Sequence, residues 1–358
     1  MSSRRLIQPR VFPTSGFEVA EATSIVEEEM LPGYIPDKFY PVRLGEILND
    51  RYQVVGKLGY GTTSTVWLGR DLQEDGYAAL KVYLSGLDRD NELKVYNCLN
   101  MIDSDHPGKA FIRKLLGSFQ LKGPHGNHLC LVHEPLGLNL DQVLDFYPKR
   151  KLPLEILKSS LRQILVAVNF LNVQAGIIHT EAEFSQPAPR KILEDRIIYG
   201  TRRVAPSNGL PFLCDLGEAR FSSEVGIPGE DIMPNVYKAP EVILKMKWDH
   251  KVDIWSIGMV DDRVHVAEMT ALLGSPPAEF LKRSEMCRAV WNEDGSWKGV
   301  VPLPDITLEG LGSEIAGKDT KGFLRWLRRI LCWLPEDRAT TEELLFDPWL
   351  MEGLGQEL

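Results

Sequence analysis

The apolar residues of this chain change their period near Gly137, and that switch limits what it can fold into. Before it, short runs of β-branched and aromatic residues at 52–55, 65–68, 77–82, 111–119 and 128–133 are separated by turn residues, which predicts strands. One helix is expected within this part, over 89–99. After it, Leu157, Leu161, Ile164, Val168 and Leu171 recur at helical spacing, as do Phe323, Trp326, Leu327 and Ile330, and a further helix starts over 341–346. The pattern predicts an α+β protein. Residues 1–48 form an extended or disordered segment, 49–136 a small β-rich lobe, 137–351 a larger helical lobe and 352–358 a tail.

Composition narrows the partners. The 358 residues are 44% hydrophobic and 25% charged, ordinary for a globular protein. A net charge of −9 disfavours direct nucleic-acid binding, and no apolar run is long enough for a membrane span. Five scattered cysteines without CxxC spacing predict reduced thiols in the cytoplasm or nucleus, with no zinc site. The first ten residues carry Arg4, Arg5 and Arg10, as a mitochondrial presequence would, although a plain basic tail has the same look. The acidic run Glu27-Glu28-Glu29 before Pro32-Gly33 reads as linker.

Several segments carry chemistry. Gly59-Tyr60-Gly61 lies between two predicted strands, where glycines let backbone N–H groups approach a polyphosphate. Ser64 occupies the place of a third glycine, and Val66 would cover an adenine ring. Lys81 closes a strand of small and apolar residues and is the expected phosphate anchor, with Glu92 as its helix partner. Asp215 follows the apolar run 210–214, predicted as a strand, and precedes Gly217; an acid there is placed to hold Mg²⁺.

Taken in order, these residues resemble a protein kinase, and more closely the fungal type of the SR-protein-kinase-like branch. The likeness rests on the run 40–47, Lys57-Leu58-Gly59-Tyr60-Gly61, Ser64-Thr65-Val66-Trp67-Leu68, Ile178-His179-Thr180, Asp215-Leu216-Gly217, Ala239-Pro240-Glu241 and 253–258, and spans about residues 34–350. It implies a bilobal kinase fold and transfer of the ATP γ-phosphate, with Mg²⁺, to Ser or Thr of protein substrates, Arg/Ser-rich ones in this branch. It implies that Leu58, Gly59, Tyr60, Gly61, Thr62, Thr63, Ser64, Val66, Ala79 and Lys81 surround ATP, that Glu134 and Leu136 in the hinge after His133 meet adenine, and that Glu241, Asp253 and Arg338 are structural.

The likeness breaks after Thr180. The family's Asp, Lys and Asn are not there; the chain reads Glu181-Ala182-Glu183-Phe184-Ser185-Gln186-Pro187. In one register Glu181 replaces the catalytic base and Gln186 the metal-binding Asn, while Glu183 reverses the charge of the lysine beside the phosphate. In the other a segment is missing after Thr180, which also accounts for Pro189-Arg190-Lys191 as part of an insert of the fungal members. A second gap is expected after Val260, where Asp261-Asp262-Arg263 stand in place of a long apolar helix. The alternative to a kinase is therefore a pseudokinase or truncated isoform that binds nucleotide or protein without transfer.

Overall fold

A computed structural model of the chain describes residues 7–13, 19–21, 23–74, 76–87, 90–137, 140–179, 190–192, 196–200, 211–224, 232–233, 238–258, 266–312 and 319–352. Two compact units divide it. The first is Met1–Asp90 with Arg113–Arg150 and Glu183–Gly209; the second is Asn91–Ile112 with Lys151–Ala182 and Leu210–Leu358.

The first unit is built on a six-stranded antiparallel sheet of β1 (Ile47–Leu48), β2 (Tyr52–Tyr60), β3 (Ser64–Asp71), β4 (Gly76–Tyr83), β5 (Leu115–Gly123) and β6 (Gly126–His133), in the order β1-β2-β3-β4-β6-β5. β-Branched and aromatic side chains suit this pleated surface. Tyr52, Val54, Trp67, Leu80, Val82 and Val132 pack into one buried cluster beneath it. Tyr199 joins that cluster from far along the chain, its hydroxyl accepting the Leu44 N–H at 3.2 Å and its ring set edge-on to Trp67. Two short 3-10 turns, Glu27–Met30 and Pro36–Lys38, precede the sheet.

The second unit is helical. Its elements include α1 (Asp90–Met101, of which Asp90 belongs to the first unit), α2 (Leu154–Asn169), α3 (Pro240–Ile243), α4 (Lys251–Gly258), α5 (Val266–Leu273), α6 (Thr320–Arg328) and α7 (Thr341–Leu345). Caps fix the later helices. Asp319 accepts the Gly322 N–H at the start of α6, and Thr340 and Glu343 form a reciprocal capping box on α7. The core gathers Trp255, Phe280, Trp291, Trp326, Trp333 and Trp349, with Trp326 and Trp349 rings 5.2 Å apart. Full burial of a side chain such as Phe280 contributes ~1.5–3 kcal/mol. A short ladder, β7 (Ile177–Ile178) with β8 (Arg220–Phe221), completes the elements near the site. Among the described residues no helix is long and apolar enough to cross a membrane.

Three local expectations shift. The strand expected over 111–119 begins at Leu115, because Pro107–Phe111 forms a 3-10 turn. That turn lies flat on α2, and a Cβ at Gly108 would stand 2.2 Å from the Val166 carbonyl oxygen. The strand expected over 210–214 is, in the described residues, an isolated parallel bridge between Leu213 and Ile112. The expected face of α2 holds at Leu161, which packs on the core, and at the buried Val168, but Lys158 and Leu165 are buried while Leu157 and Ile164 are only half-buried. Lys158 tolerates burial because its Nζ lies 5.2 Å from the Trp349 ring and 3.2 Å from Glu352 Oε2.

Candidate functional site

In the first unit β2 and β3 form the glycine-bearing hairpin. Gly59 pairs with Val66 and Tyr60 with Thr65, and the Gly61 N–H donates to Ser64 O at 2.8 Å to close the turn. The Leu84 N–H donates to Thr63 O, tying the loop to the end of β4. Register breaks at Val54/Gly56 and Lys57/Gly59 twist β2 before the loop. Ser64 is buried, Thr62 exposed, and Leu58, Tyr60, Thr63 and Val66 are half-buried. Lys81 sits in register between Val66 and Leu131, buried, with Nζ 5.0 Å from the Tyr83 ring. Ala79 is fully buried between Leu68 and His133. The sheet thus brings Leu58 to Lys81 onto three adjacent strands.

His133 ends β6 buried, its Nδ1–H donating to Lys114 O at 3.0 Å. Beyond it Glu134 is exposed and Leu136 half-buried, and the Glu134 carbonyl accepts from Arg113 Nη2 at 3.1 Å.

In the second unit the site is organised around Asp253. Both its carboxylate oxygens accept the His179 N–H at 3.1 Å, and Oδ2 also accepts from Asn172 Nδ2 at 3.0 Å. Asn172 bonds Ile177 O as well, so the end of β7 is held from two sides. The His179 ring donates through Nε2 to Cys214 O at 2.9 Å, fixing the residue before Asp215. The Leu213 N–H donates to Phe111 O at 2.8 Å. Asp215 itself takes φ 63°, a left-handed conformation that a non-glycine residue keeps only where its surroundings impose it.

Glu92 is fully buried in the first turn of α1. Its neighbour Asn91 donates through Nδ2 to Ala219 O at 2.9 Å, so the helix of Glu92 is pinned to the segment that follows Asp215. Glu241 and Arg338 are brought together fully buried, joined by two bonds of 2.6 Å. The Arg338 guanidinium stacks 4.9 Å from the Trp255 ring and donates to Cys332 O and Lys251 O. Burial pushes the Lys251 ammonium down, against the pull of Asp249.

Lys81 therefore lies in the first unit, and Glu92, Asp215, Glu241, Asp253 and Arg338 in the second. Glu181, Glu183, Gln186 and 261–263 lie outside the described residues. Sequence reasoning missed Asn91 and Asn172. Their amides serve partners 128 and 81 residues away, and no local pattern marks them.

A family model described as a protein kinase domain matches residues 52–350. The chain belongs to the protein kinase family. A serine/threonine protein kinase of Aspergillus fumigatus is 36% identical over 96% of this chain and 95% of that protein. The serine/threonine-protein kinase SRPK of Physarum polycephalum is 26% identical over 91% of this chain and 92% of its own length. SRSF protein kinase 3 of Mus musculus is 36% identical over 43% of this chain and 28% of its own. This kinase is thus SR-protein-kinase-like, with relatives among fungal Ser/Thr kinases. A kinase domain of known crystal structure superposes with a TM-score of 0.69 at 24% identity, covering 87% of this chain and 99% of that one, which establishes the bilobal kinase fold. The Aspergillus alignment runs over 377 positions, more than the 358 residues of this kinase, so it opens gaps in this chain.

Proposed function

We propose that this chain binds Mg-ATP and that its transfer chemistry is directed at Ser or Thr hydroxyls of Arg/Ser-rich proteins. One observation carries the reading: Asp215 is held at φ 63° in a segment tied at Cys214 to His179 and at Ala219 to Asn91. Such a conformation costs on the order of 1–3 kcal/mol and persists where the surrounding bonds over-determine it. Mg²⁺ is commonly bound through one or two carboxylates together with substrate phosphates. Among the described residues no cluster of three or more His, Cys, Asp or Glu forms a metal cage. A single carboxylate, Asp215, suits a cation that arrives on a nucleotide. When bound, Mg-ATP supplies the phosphoryl group and part of the charge neutralisation.

The protein's own residues bind and orient. Backbone N–H groups of the 59–64 hairpin receive phosphate oxygens and Lys81 adds a point charge, with Glu92 the partner that the kinase resemblance gives it. Ala79, Val66 and Leu58 offer apolar surface to the base, with Glu134 and Leu136 as backbone partners. Asp253 holds the backbone that leads into the catalytic loop, and Glu241 with Arg338 anchors α3. An acidic chain, −9 overall, favours encounter with Arg-rich substrates. A reducing compartment, cytoplasm or nucleus, suits its five free cysteines.

A second reading, nucleotide binding without transfer, is favoured by the sequence at 181–187: no Asp, Lys or Asn stands in the family's pattern, and Glu183 would repel the phosphate. Full-length protein titrated with Mg-ATP, then assayed with an Arg/Ser peptide, separates the two. Binding with transfer supports the first reading and binding without transfer the second. No binding at millimolar nucleotide overturns both.

A further inference from the structure

The acidic run Glu27-Glu28-Glu29, a linker by its sequence, folds into a 3-10 turn whose three carboxylates part company. Glu29 serves its own turn, Oε2 accepting the Val26 N–H at 2.9 Å. Glu27 and Glu28 are buried and meet Lys57: its Nζ lies 3.2 Å from Glu27 Oε2 and is bonded to Glu28 Oε2. The Lys57 side chain is wholly enclosed. Its ammonium also faces the Tyr60 ring at 5.0 Å and the Trp67 ring at 5.8 Å. Glu27 keeps φ 54°, a left-handed backbone that is held against its own preference.

Burying two carboxylates against one ammonium is a poor route to stability, because desolvation offsets the attraction. A buried ionic cluster can instead fix an arrangement. What Lys57 specifies is local. It stands at the register break of β2, two residues before Gly59, and Tyr60 under its charge is the residue between the two loop glycines. Trp67, beside Val66 on β3, is braced from another side by Tyr199.

We propose that Glu27 and Glu28 are positioning residues: acting through Lys57, they hold the glycine hairpin in the conformation that receives nucleotide phosphate, so that nucleotide recognition begins ahead of the catalytic domain. This rests on the nucleotide reading above. It makes the acidic turn part of the working kinase rather than a leader to it.

The test uses the full chain and two measurements: amide hydrogen exchange without nucleotide, and Mg-ATP affinity by calorimetric titration. In Glu27→Gln/Glu28→Gln and in Lys57→Met, exchange over 57–66 should accelerate about tenfold or more while α2 exchanges as before, and Mg-ATP should bind about tenfold more weakly, as expected for loss of a charge-assisted contact. Lys57→Arg, which keeps the charge and can fork to both carboxylates, should retain both properties. Unchanged exchange over 57–66 overturns the proposal, as does faster exchange with unchanged affinity or equal acceleration in α2. If the wild-type protein binds no Mg-ATP, the nucleotide reading itself fails; the exchange measurement needs no nucleotide and still decides whether the clamp exists.

Discussion

Arg338 grips Glu241 in a fork of two 2.6 Å bonds, 97 residues apart in sequence and both closed off from water. The guanidinium also donates to the Cys332 and Lys251 carbonyls and covers the Trp255 ring, so its bonds tie together α3, α4 and the segment after α6. Replacing it with Met leaves a carboxylate buried without its cation. Breaking one side of a buried pair costs ~3–5 kcal/mol. Arg338→Met should therefore lower the urea midpoint sharply, with the slope little changed. A loss below about 1 kcal/mol, the range of an exposed pair, would show that water reaches Glu241 and that the pair is not the anchor described.

This pair and the bond from Asp253 to the His179 backbone were legible only through the resemblance to protein kinases, while the strands of the glycine hairpin were legible from their own residue types. The hairpin strands announced themselves by β-branched residues around glycines, and α2 by its period. What was not legible depends on distance along the chain. Glu28 and Lys57 are 29 residues apart, and nothing local distinguishes an acidic run that docks from one that is solvated. Tyr199 reaches Leu44 across 155 residues, from beyond the stretch that reads as an insert. Lys158 broke the expected stripe of α2 because a lysine with an aromatic face and a carboxylate within reach can be buried, and periodicity counts it as polar. The single bridge at Leu213 replaced an expected strand because an apolar run alone does not supply a partner strand.

Nucleotide binding should outlast catalysis. The hairpin, Lys81, Glu92 and Asp215 are all present in the sequence, and the catalytic-loop residues are not. Mg-ATP at millimolar concentration should raise the melting temperature of the full chain. Lys81→Ala should weaken affinity roughly ten- to a hundredfold, the ~1.5–3 kcal/mol of a hydrogen bond to a charged group. An unaltered thermal shift in that variant would remove Lys81 from the site.

On the second reading, nucleotide binding without transfer, phosphoryl transfer should be very slow. Protein kinases turn over at ~1–100 per second, and a positioned general base supplies roughly a hundred- to ten-thousandfold of that. Glu181 carries its carboxylate one methylene further out than Asp, and Glu183 places an acid where a cation should neutralise phosphate. Turnover of an Arg/Ser peptide should fall at least about a hundredfold below the kinase range. Brisk turnover that disappears in Asp215→Ala would refute the reading without transfer. If it also disappears in Glu181→Gln, the register without a missing segment is the correct one.

Acid should loosen the second unit through Asp347. Burial raises the proton affinity of this carboxyl, but bonds from Arg325, the Trp349 N–H and Arg329 outweigh that and hold its pKa below the ordinary value. The unfolded chain binds the proton near the usual Asp value of ~3.9, the folded chain only at lower pH. Stability from this group is thus complete above that value and is lost as pH falls through the lowered folded pKa. Asp347 also caps the short helix Pro348–Met351, and Asn caps equally well, so Asp347→Asn should lower stability at pH ~6 through the lost charge opposite Arg325 and Arg329 rather than through the cap. The gap between wild type and variant should narrow by roughly pH 3, where both side chains are neutral in the unfolded chain. Urea unfolding at the two pH values measures it; a gap that stays constant would mean that the Asp347 charge contributes nothing to holding α6 and the final helix together.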